Sequence, residues 1–404
     1  MKGESWVNWY QNQSEEWKNA IGMISEKSQR NELMVEKDVI QSMFLSELSK
    51  LELPFVFKGG TSLSKAYQLI DRFSEDIDLS VSRHITNGEH KKAKQQILEI
   101  ADSLGLTLDN PEDIRSRRDY NKYLFSYDSL FRSESMSLMI ETSFFQSVYP
   151  IEQIPIHNYI SDYCQSHGIT IPLPLDELNF SMAVQSLNRT FIDKTYAVCD
   201  YWVQGVTERD SRHLYDLAQL CSHVPLNSDL RSLAVSVRKD RMFSINNPAA
   251  QPEYNIQQIL SELITTDYFK KDYETVTSRL LNEPVSYEES LENGIQKILD
   301  SKVFDFSYPE LSEFLPFPKP VFVSEMKPQV ALAEGIFQEA RQTVLNLYQD
   351  QTISPEKRKA AYQYVCQQYN ADTLSAKKVI EKSMNHQYDR DHLLDLPSPG
   401  QPSI

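Results

Sequence analysis

The spacing of hydrophobic and polar positions changes along the chain and predicts a succession of elements. Over residues 1–50, apolar side chains recur near helical spacing with charges between them, which predicts helices. A short β-prone run, FVF at 55–57, then leads into Gly59-Gly60, and a helical pattern follows to about residue 70. Residues 73–81 predict a second strand. This part of the chain is therefore expected to run strand, glycine turn, helix, strand.

Residues 106–149 hold several strand candidates, and the clearest is the alternating run at 137–145, SLMIETSFF. Most of the chain beyond residue 177 has a helical pattern. Ser286 and Glu289 have the S-x-x-E spacing of a capping box and predict a helix start. Five prolines between 304 and 328 predict an irregular connection. Helical spacing predicts helices at about 89–104, 177–222, 229–241, 255–281, 329–350, 355–369 and 373–386.

The composition is that of a globular protein with a strongly acidic balance. Of 404 residues, 40% are hydrophobic, and 41 Lys and Arg against 57 Asp and Glu give a net charge of −16. Such a chain is not attracted as a whole to nucleic acid or to an anionic membrane, so a polyanionic partner needs a local basic patch. The sequence has no apolar run long enough to cross a bilayer and no apolar signal-peptide core, so a cytoplasmic protein without membrane partners is expected.

Several common kinds of site are excluded by motifs that the sequence lacks. The four cysteines lie far apart without a C-x-x-C pair, and the eight histidines form no H-E-x-x-H motif, so no zinc site is expected. The sequence contains neither the G-x-x-x-x-G-K-[ST] loop of P-loop NTPases nor the G-x-S-x-G elbow of many hydrolases. Its chemistry must come from other residues.

The first motif of chemical interest is KGGTS at 58–62, at the end of a predicted strand. Two glycines let the backbone approach an anion closely, and the amide groups at a helix start point toward a phosphate. The hydroxyl groups of Thr61 and Ser62 add further donors. By itself this motif is more typical of a tight turn with a helix cap.

The second motif is Asp76-Ile77-Asp78 on the next predicted strand. Side chains two residues apart on a strand point to the same side, with Cα atoms about 6.5–7 Å apart. Two such carboxylates repel each other unless a cation lies between them, and hard oxygen ligands suit Mg²⁺ or Mn²⁺. A lone D-x-D motif is common on a polar strand face. The glycine turn one helix upstream favours a metal and phosphate site instead.

Together these residues resemble a known family. A G-G-[ST] turn, a helix and a D-x-D strand are similar to the polymerase-β-type nucleotidyltransferase superfamily. More closely, FVFKGGTSLSKAYQLIDRFSEDIDL resembles the AbiEii/AbiGii nucleotidyltransferase toxins. The resemblance implies an α/β (α+β) core with a mixed sheet and a largely helical C-terminal region. We therefore expect a nucleotidyltransferase core with N-terminal helices at 1–175, a helical domain completing the active site at 176–300, and a proline-rich strap with additional helices at 301–404.

A second stretch carries the resemblance independently. Residues 188–220 contain R-T-F-x-x-K and then R-H-x-x-D-L on a following helix, as the family does, which singles out Lys194 and Asp216. As a point charge Lys194 suits a triphosphate, although an ordinary solvated lysine is the alternative. Asp216 shares a helix face with Arg212 and could simply form an i,i+4 pair. The resemblance implies a place in the site for Asp216 without specifying its chemical role.

The superfamily resemblance also implies a third carboxylate on a later strand. Glu141, within the strand predicted at 137–145, is the best candidate, and a solvent-facing glutamate is the alternative. Just before this strand, basic residues interleave with tyrosines, a pattern that could hold a nucleic-acid backbone and stack a base or could be a solvated loop. This cluster comprises Arg115, Arg117, Arg118, Tyr120, Lys122 and Tyr123.

The expected reaction is transfer of a nucleoside monophosphate from an NTP to an acceptor hydroxyl. The expected metal ligands are Asp76, Asp78 and Glu141, and the catalytic residues are Asp76, Asp78, Lys194 and Asp216. The residues expected to bind the nucleotide are Lys58, Gly59, Gly60, Thr61, Ser62, Ser74 and Lys194.

The resemblance implies a toxin of a toxin–antitoxin or phage-defence system. It implies RNA as the acceptor, most plausibly the 3′ end of tRNA, and a cognate antitoxin as partner. Two alternatives stay open: a protein or small-molecule acceptor, which the acidic charge fits better, and a nucleotide-binding interaction module that has lost its chemistry.

Overall fold

The structure, a computed structural model, describes most of the chain between residues 13 and 396. The residues it does not describe are 1–12, 73, 117–118, 148, 209, 243–246, 252–253, 307–316, 318–319, 323–325, 351, 370–373 and 397–404. The chain divides into two compact units. The first comprises Met1–Thr195, Thr207–Leu226 and Phe269–Lys297, and the second comprises Tyr196–Val206, Asn227–Tyr268 and Ile298–Ile404. The predicted division into three domains at 175 and 300 stays a prediction.

Strands and helices alternate in the first half of the chain, and helices follow in the second half. The strands are β1 (Phe55–Lys58), β2 (Asp76–Val81), β3 (Thr107–Leu108), β4 (Tyr120–Asp128), β5 (Ser135–Ser147), β6 (Ile151–Pro155) and β7 (Ser181–Gln185). The longer helices of the first half are α1 (Ser14–Ser28), α2 (Glu32–Ser49), α3 (Gly59–Lys65), α4 (Asn87–Ser103), α5 (Tyr159–His167) and α6 (Leu187–Gln204).

The later helices are α7 (Arg212–Leu220), α8 (Ser228–Arg241), α9 (Ile256–Thr265), α10 (Lys327–Gln349), α11 (Pro355–Tyr369), α12 (Ala376–Met384) and α13 (Arg390–Asp395). Shorter helical segments lie at Leu175–Leu178, Pro248–Ala250, Lys270–Asp272, Tyr273–Thr277, Ser278–Leu280, Tyr287–Ser290, Leu291–Gln296 and Lys297–Ser301. None of the helices that the structure describes is both long and apolar enough to cross a membrane.

The seven strands form one mixed sheet, as the α/β expectation requires. Their order is β3-β4-β5-β2-β1-β7-β6. At the centre, β2 pairs antiparallel with β1 and parallel with β5, and β1 also pairs parallel with β7. The strand that carries the D-x-D motif is therefore flanked on both sides, which fixes which way its side chains point.

The two faces of the sheet differ in polarity. On β2, Ile77, Leu79 and Val81 are buried in the hydrophobic core of the first unit, together with side chains of α1, α2, α4 and α5. Asp76 and Asp78 alternate with them and lie on the opposite face. A shift of one residue in register would put the carboxylates into the core, so the register of β2 is strongly specified.

The diglycine helix differs in its bounds from the prediction. It starts at Gly59 itself, not at a Thr61 or Ser62 cap, and it ends at Lys65 rather than near 70. Gly59 has a φ of 77°, a left-handed conformation that favours glycine, so the chain turns from β1 into the helix without a polar cap. The following strand begins at Asp76 rather than 73.

The sequence analysis predicted neither β6 nor β7. Residues 177–222 were predicted to be helical, but β7 at Ser181–Gln185 precedes the helices α6 and α7. Its short alternating run buries Met182 and Val184 between β1 and β6, so pairing with distant strands decides the structure of a segment too short to signal it locally.

The C-terminal helices agree with their predicted positions and have a core of their own. Side chains of α10, α11, α12 and α13 form a hydrophobic cluster in the second unit. Most of the proline-rich connection predicted at 304–328 lies outside the described residues. At Ser286, the predicted cap is present, since its hydroxyl accepts a hydrogen bond from the Glu289 amide.

A buried ion pair between Asp38 and Lys65 joins the helices α2, α3 and α5. Asp38 on α2 binds the ammonium of Lys65 at the end of α3, and its second oxygen accepts the Tyr159 amide of α5 at 3.0 Å. Both charged side chains are almost fully buried. Removal of one partner would leave the other charge buried without compensation.

We expect Asp38→Ala to lower the free energy of unfolding by about 3–5 kcal/mol, because it strands the Lys65 ammonium. Urea unfolding measures this. The matched control is Glu52→Ala, which removes a solvent-exposed pair with Lys92 and should cost less than about 1 kcal/mol. Equal losses in the two variants would contradict the assignment.

Candidate active site

A row of charged side chains crosses the open face of the sheet. Residues directly opposite each other on paired strands share a face, and the register pairs Lys122 of β4 with Glu141 of β5, Glu141 with Asp78 of β2, and Asp78 with Lys58 of β1. The row therefore reads positive, negative, negative, positive. Asp76 lies one step along β2 on the same face.

The two glycines make room for side chains of the site. A methyl group at Gly59 would overlap the Asp78 carboxylate. At Gly60, a methyl group would lie 2.6 Å from Arg72 Nη2 and 2.9 Å from Ser74 Oγ. The absence of a Cβ at both positions therefore lets a carboxylate and a guanidinium approach the start of α3.

Among the described residues, none places a counter-charge in contact with the carboxylates of Asp76 and Asp78. No described side chain donates a hydrogen bond to either one or lies within ion-pair distance of it. Burial raises the pKa of Asp78 to about 6, with Lys58 opposing and Glu141 and Asp76 adding to the rise. Burial likewise raises the pKa of Asp76, against the charges of Arg212 and Lys37. A pair of crowded carboxylates without a protein partner is a donor set that suits a divalent cation.

The hydroxyl groups near the diglycine form hydrogen bonds within the turn itself. Thr61 Oγ1 donates to the Asp76 carbonyl and lies 2.9 Å from Ser74 Oγ, and Ser62 Oγ donates to the Gly59 carbonyl. The side chains of Thr61 and Ser62 are fully buried, whereas Ser74 is half-buried. These bonds fix the start of α3 against the start of β2.

Helix α2 contributes two residues that the sequence analysis did not single out. Gln41 Nε2 donates to the carbonyls of Ser74 and Glu75 at 3.3 and 3.1 Å. The buried ammonium of Lys37 lies 3.8 Å from the Glu75 carboxylate. Both residues therefore hold the segment that leads into Asp76. Their only sequence signal is polarity at buried positions of an otherwise apolar helix.

Asp216 lies at the centre of a buried charge network. Arg72 makes two hydrogen bonds to it, Nε to Oδ1 and Nη2 to Oδ2, both at 2.7 Å. Lys194 Nζ donates to Oδ2 at 2.7 Å. Burial by itself would raise the pKa of Asp216, but the two cations outweigh it and hold the pKa well below its usual value. Asp216 is therefore a permanent anion that positions two cations, and its partners are these rather than Arg212.

Lys194 faces a neutral histidine as well as this anion. His213 Nδ1 lies 3.4 Å from Lys194 Nζ, and burial together with the Lys194 charge holds the pKa of His213 well below its usual value. Burial also lowers the pKa of Lys194, against the charge of Asp216. Arg72, which binds Asp216 and packs over Gly60, was not singled out by the sequence analysis.

Glu141 is half-buried and stands beside the aspartates on the row. Its Oε1 lies 3.5 Å from Lys122 Nζ. Within the part of the chain that the structure describes, no group of three or more His, Cys, Asp and Glu side chains is arranged to hold a metal ion. The donors that fit a cation are therefore Asp76 and Asp78, with Glu141 next to them and engaged with a lysine.

Comparison with known proteins gives a family match and structural likenesses to eight chains of solved structures, including two from Helicobacter pylori. The family model described as nucleotidyl transferase AbiEii toxin, type IV toxin–antitoxin system, matches residues 43–301. JHP933 from Helicobacter pylori is 20% identical, with a TM-score of 0.39 over 68% of this chain and 94% of that one. A candidate nucleotidyltransferase from H. pylori is 19% identical, with a TM-score of 0.40 over 68% and 97%. No protein of curated function matches the chain.

We expect Asp78→Asn to raise the free energy of unfolding at pH 8 in EDTA by about 1–3 kcal/mol. A carboxyl group with a raised pKa binds its proton more tightly when folded, so stability is lost as the pH rises from about 4 through the folded-state pKa of about 6, and the loss is complete above it. The gain should shrink toward zero at pH 4. Urea unfolding at several pH values measures it, with Asp102→Asn on the exposed side of α4 as control. A variant no more stable than wild type at pH 8 would refute the raised pKa.

Proposed function

We propose, since the chain belongs to the AbiEii family of nucleotidyl transferase toxins of type IV toxin–antitoxin systems, that it transfers a nucleoside monophosphate from an NTP to a hydroxyl group of RNA. The acceptor oxygen bonds to the α-phosphorus while the bond to the bridging oxygen of the β-phosphate breaks. Pyrophosphate leaves with that electron pair, and the hydroxyl proton passes to solvent or to a carboxylate of the site.

The observation that carries this proposal is the position of Asp78 against Gly59. A crowded, half-buried pair of carboxylates lies beside the backbone turn that starts α3, and no described cation neutralises the pair by contact. A carboxylate pair next to a helix start supports binding of a metal–nucleotide complex, since the cation compensates the carboxylates and the helix start favours the phosphates.

Asp76 and Asp78 would hold the divalent cation, Mg²⁺ or Mn²⁺. Glu141 would become a further ligand if its carboxylate left Lys122 and bound the ion instead. Bound there, the metal would supply charge stabilisation for the attacking and leaving oxygens. Binding and positioning of the triphosphate would fall to residues of the chain itself. The raised pKa values of the aspartates indicate that binding is favoured above about pH 6, where Asp78 is ionised.

The triphosphate would lie along the start of α3. The backbone amides of Gly59 and Gly60 would bind phosphate oxygens, with Lys58 and Ser74 at the sides. Thr61 and Ser62, whose hydroxyl groups are used within the turn, would act by holding it in shape. Lys194, held by Asp216, would balance the negative charge of the phosphates, which makes Asp216 a positioning residue.

The acceptor and the biological setting are the finer parts of the proposal. We assign the 3′ end of tRNA as the acceptor, an antitoxin as the partner that restrains the toxin, and defence against phage as the setting. Family membership in a toxin–antitoxin system supports the antitoxin. The net charge of −16 favours a second candidate, a protein acceptor, because an acidic chain repels a polyanion at long range.

One assay separates these outcomes. The full chain is incubated with each α-labelled NTP and Mg²⁺, and with total tRNA, a protein extract or no added acceptor. We expect label on tRNA, and none when EDTA is present. Label on protein alone would replace RNA with the second candidate. No label anywhere, with NTP bound, would indicate the inactive module.

Asp76→Asn should reduce transfer at least about 100-fold while the protein stays folded, because it removes one of two metal-binding carboxylates. The rate of label incorporation and the thermal unfolding midpoint are measured together. Asp102→Asn, a carboxylate far from β2 in sequence and exposed on α4, is the matched control and should retain the wild-type rate. Wild-type activity in Asp76→Asn would exclude the metal assignment.

Lys194→Met should raise the KM for NTP about 10- to 100-fold, because a buried charge-assisted contact to the phosphates is lost. Initial rates over a range of NTP concentrations measure this. Lys91→Met, an exposed lysine of α4, serves as the control. A folded Lys194→Met variant with unchanged KM and kcat would remove Lys194 from the nucleotide site.

A further inference from the structure

An exposed aromatic ring and an exposed ammonium lie side by side on β4. Along this strand the side chains alternate between exposed and buried from Tyr120 to Phe125. Tyr120 is 42% exposed, and the side chain of Lys122 is 44% exposed, on the same face of the sheet as the charged row. Tyr123, by contrast, is buried in the core and cannot stack on a ligand.

This exposed pair lies on one side of the carboxylates, and the diglycine lies on the other. In the sheet order, β5 separates β4 from β2, and β1 follows β2 on the far side. From the diglycine end, the order of the side chains across the face is Asp78, Glu141 and Lys122. Tyr120 is the next exposed residue of β4 on this face. Burial is the main cause that raises the pKa of its hydroxyl group, and the charge of Glu141 adds to the rise.

In phosphoryl transfer, the β4 side and the diglycine side of the carboxylates would have different roles. In an in-line displacement, the attacking oxygen and the leaving oxygen lie on opposite sides of the phosphorus. With the leaving pyrophosphate at the start of α3, beside β1, this geometry favours approach of the attacking hydroxyl from the β5–β4 side. The acceptor therefore passes over the exposed side chains of β4 before it reaches the carboxylates.

We propose that Tyr120 and Lys122 bind the single-stranded 3′ end of the RNA acceptor, Tyr120 by stacking on a base and Lys122 by contact with a phosphate. This inference rests on the proposed function and adds the path of the acceptor to it. An aromatic face accepts any base, and a neighbouring cation follows the backbone, which is how single strands are bound without sequence preference.

Lys122 gives the exposed pair a positive charge. It is only loosely paired, since its ammonium lies 3.5 Å from Glu141 and its side chain is 44% exposed. The acidic side chains of the charged row lie beside it on the same face. Lys122 therefore supplies the local positive charge that a chain with a net charge of −16 needs in order to meet an RNA phosphate.

The test separates acceptor binding from nucleotide binding. The full chain and its variants are assayed for transfer onto bulk tRNA, and the KM for tRNA and the KM for NTP are measured separately. We expect Tyr120→Ala to raise the KM for tRNA roughly 5- to 150-fold and to leave the KM for NTP unchanged. Tyr120→Phe keeps the ring, so the KM for tRNA should stay at its wild-type value.

Lys122→Gln should weaken tRNA binding and reduce the slope of log affinity against log salt by about one. Two matched controls should leave both KM values unchanged. Tyr149→Ala removes an exposed tyrosine that precedes β6, at the other edge of the sheet, and Lys91→Gln removes an exposed lysine of α4.

The outcomes distinguish this inference from the proposed function. Transfer to tRNA that is unaffected by Tyr120→Ala and Lys122→Gln overturns the inference and leaves the function standing. A rise in the KM for NTP alone also overturns it, since the ring would then contact the nucleotide. If wild type transfers to no RNA, anisotropy of labelled tRNA decides. If Tyr120→Ala then binds tRNA more weakly than Tyr149→Ala does, the RNA-binding role of Tyr120 is supported although the proposed transfer to RNA is not. If the two variants bind tRNA equally, both the RNA-binding role and the proposed transfer are overturned.

Discussion

The site depends on the close approach of side chains to two glycines. Because Gly59 and Gly60 have no Cβ, Asp78 and Arg72 occupy the space that ordinary side chains would fill at the start of α3. One contact brings a carboxylate to a helix start, and the other brings a guanidinium over it. The pairing of β1 with β2 sets the first contact, since Lys58 and Asp78 lie opposite each other, and the bonds of Arg72 to Asp216 hold the second. The diglycine is therefore a packing requirement of the site as well as a candidate phosphate cradle.

The first unit contains two kinds of carboxylate that differ in how their charge is compensated. Asp216 is fully compensated, because Arg72 and Lys194 donate to it, and its pKa falls well below the usual value. Asp78 is not compensated by contact, and its pKa rises to about 6, burial being the main cause. A compensated anion holds structure, whereas an uncompensated one favours binding a proton or a cation. This contrast separates the positioning residue from the candidate metal ligands.

Much of the first unit could be predicted from spacing alone. The helices before residue 50, the strand at 55–57 and the capped helix α4 have strong local signals, and the structure confirms them. β7 was missed, because its five residues are stabilised by pairing with β1 and β6 and not by their own propensity. The end of α3 was placed too late, since apolar residues continue past the point where the helix stops at Lys65.

The sequence by itself determined the family, the mixed α/β fold and the pairing of a diglycine turn with two aspartates on one strand face. These features are local, because each depends on residues within about one strand–helix–strand unit. Only the tertiary structure decided which charges meet. Arg72 and Asp216 are 144 residues apart, so no spacing rule connects them, and Glu141 reaches Lys122 only through strand pairing. Charge compensation is a matter of distance and burial in three dimensions, and local sequence patterns do not record it.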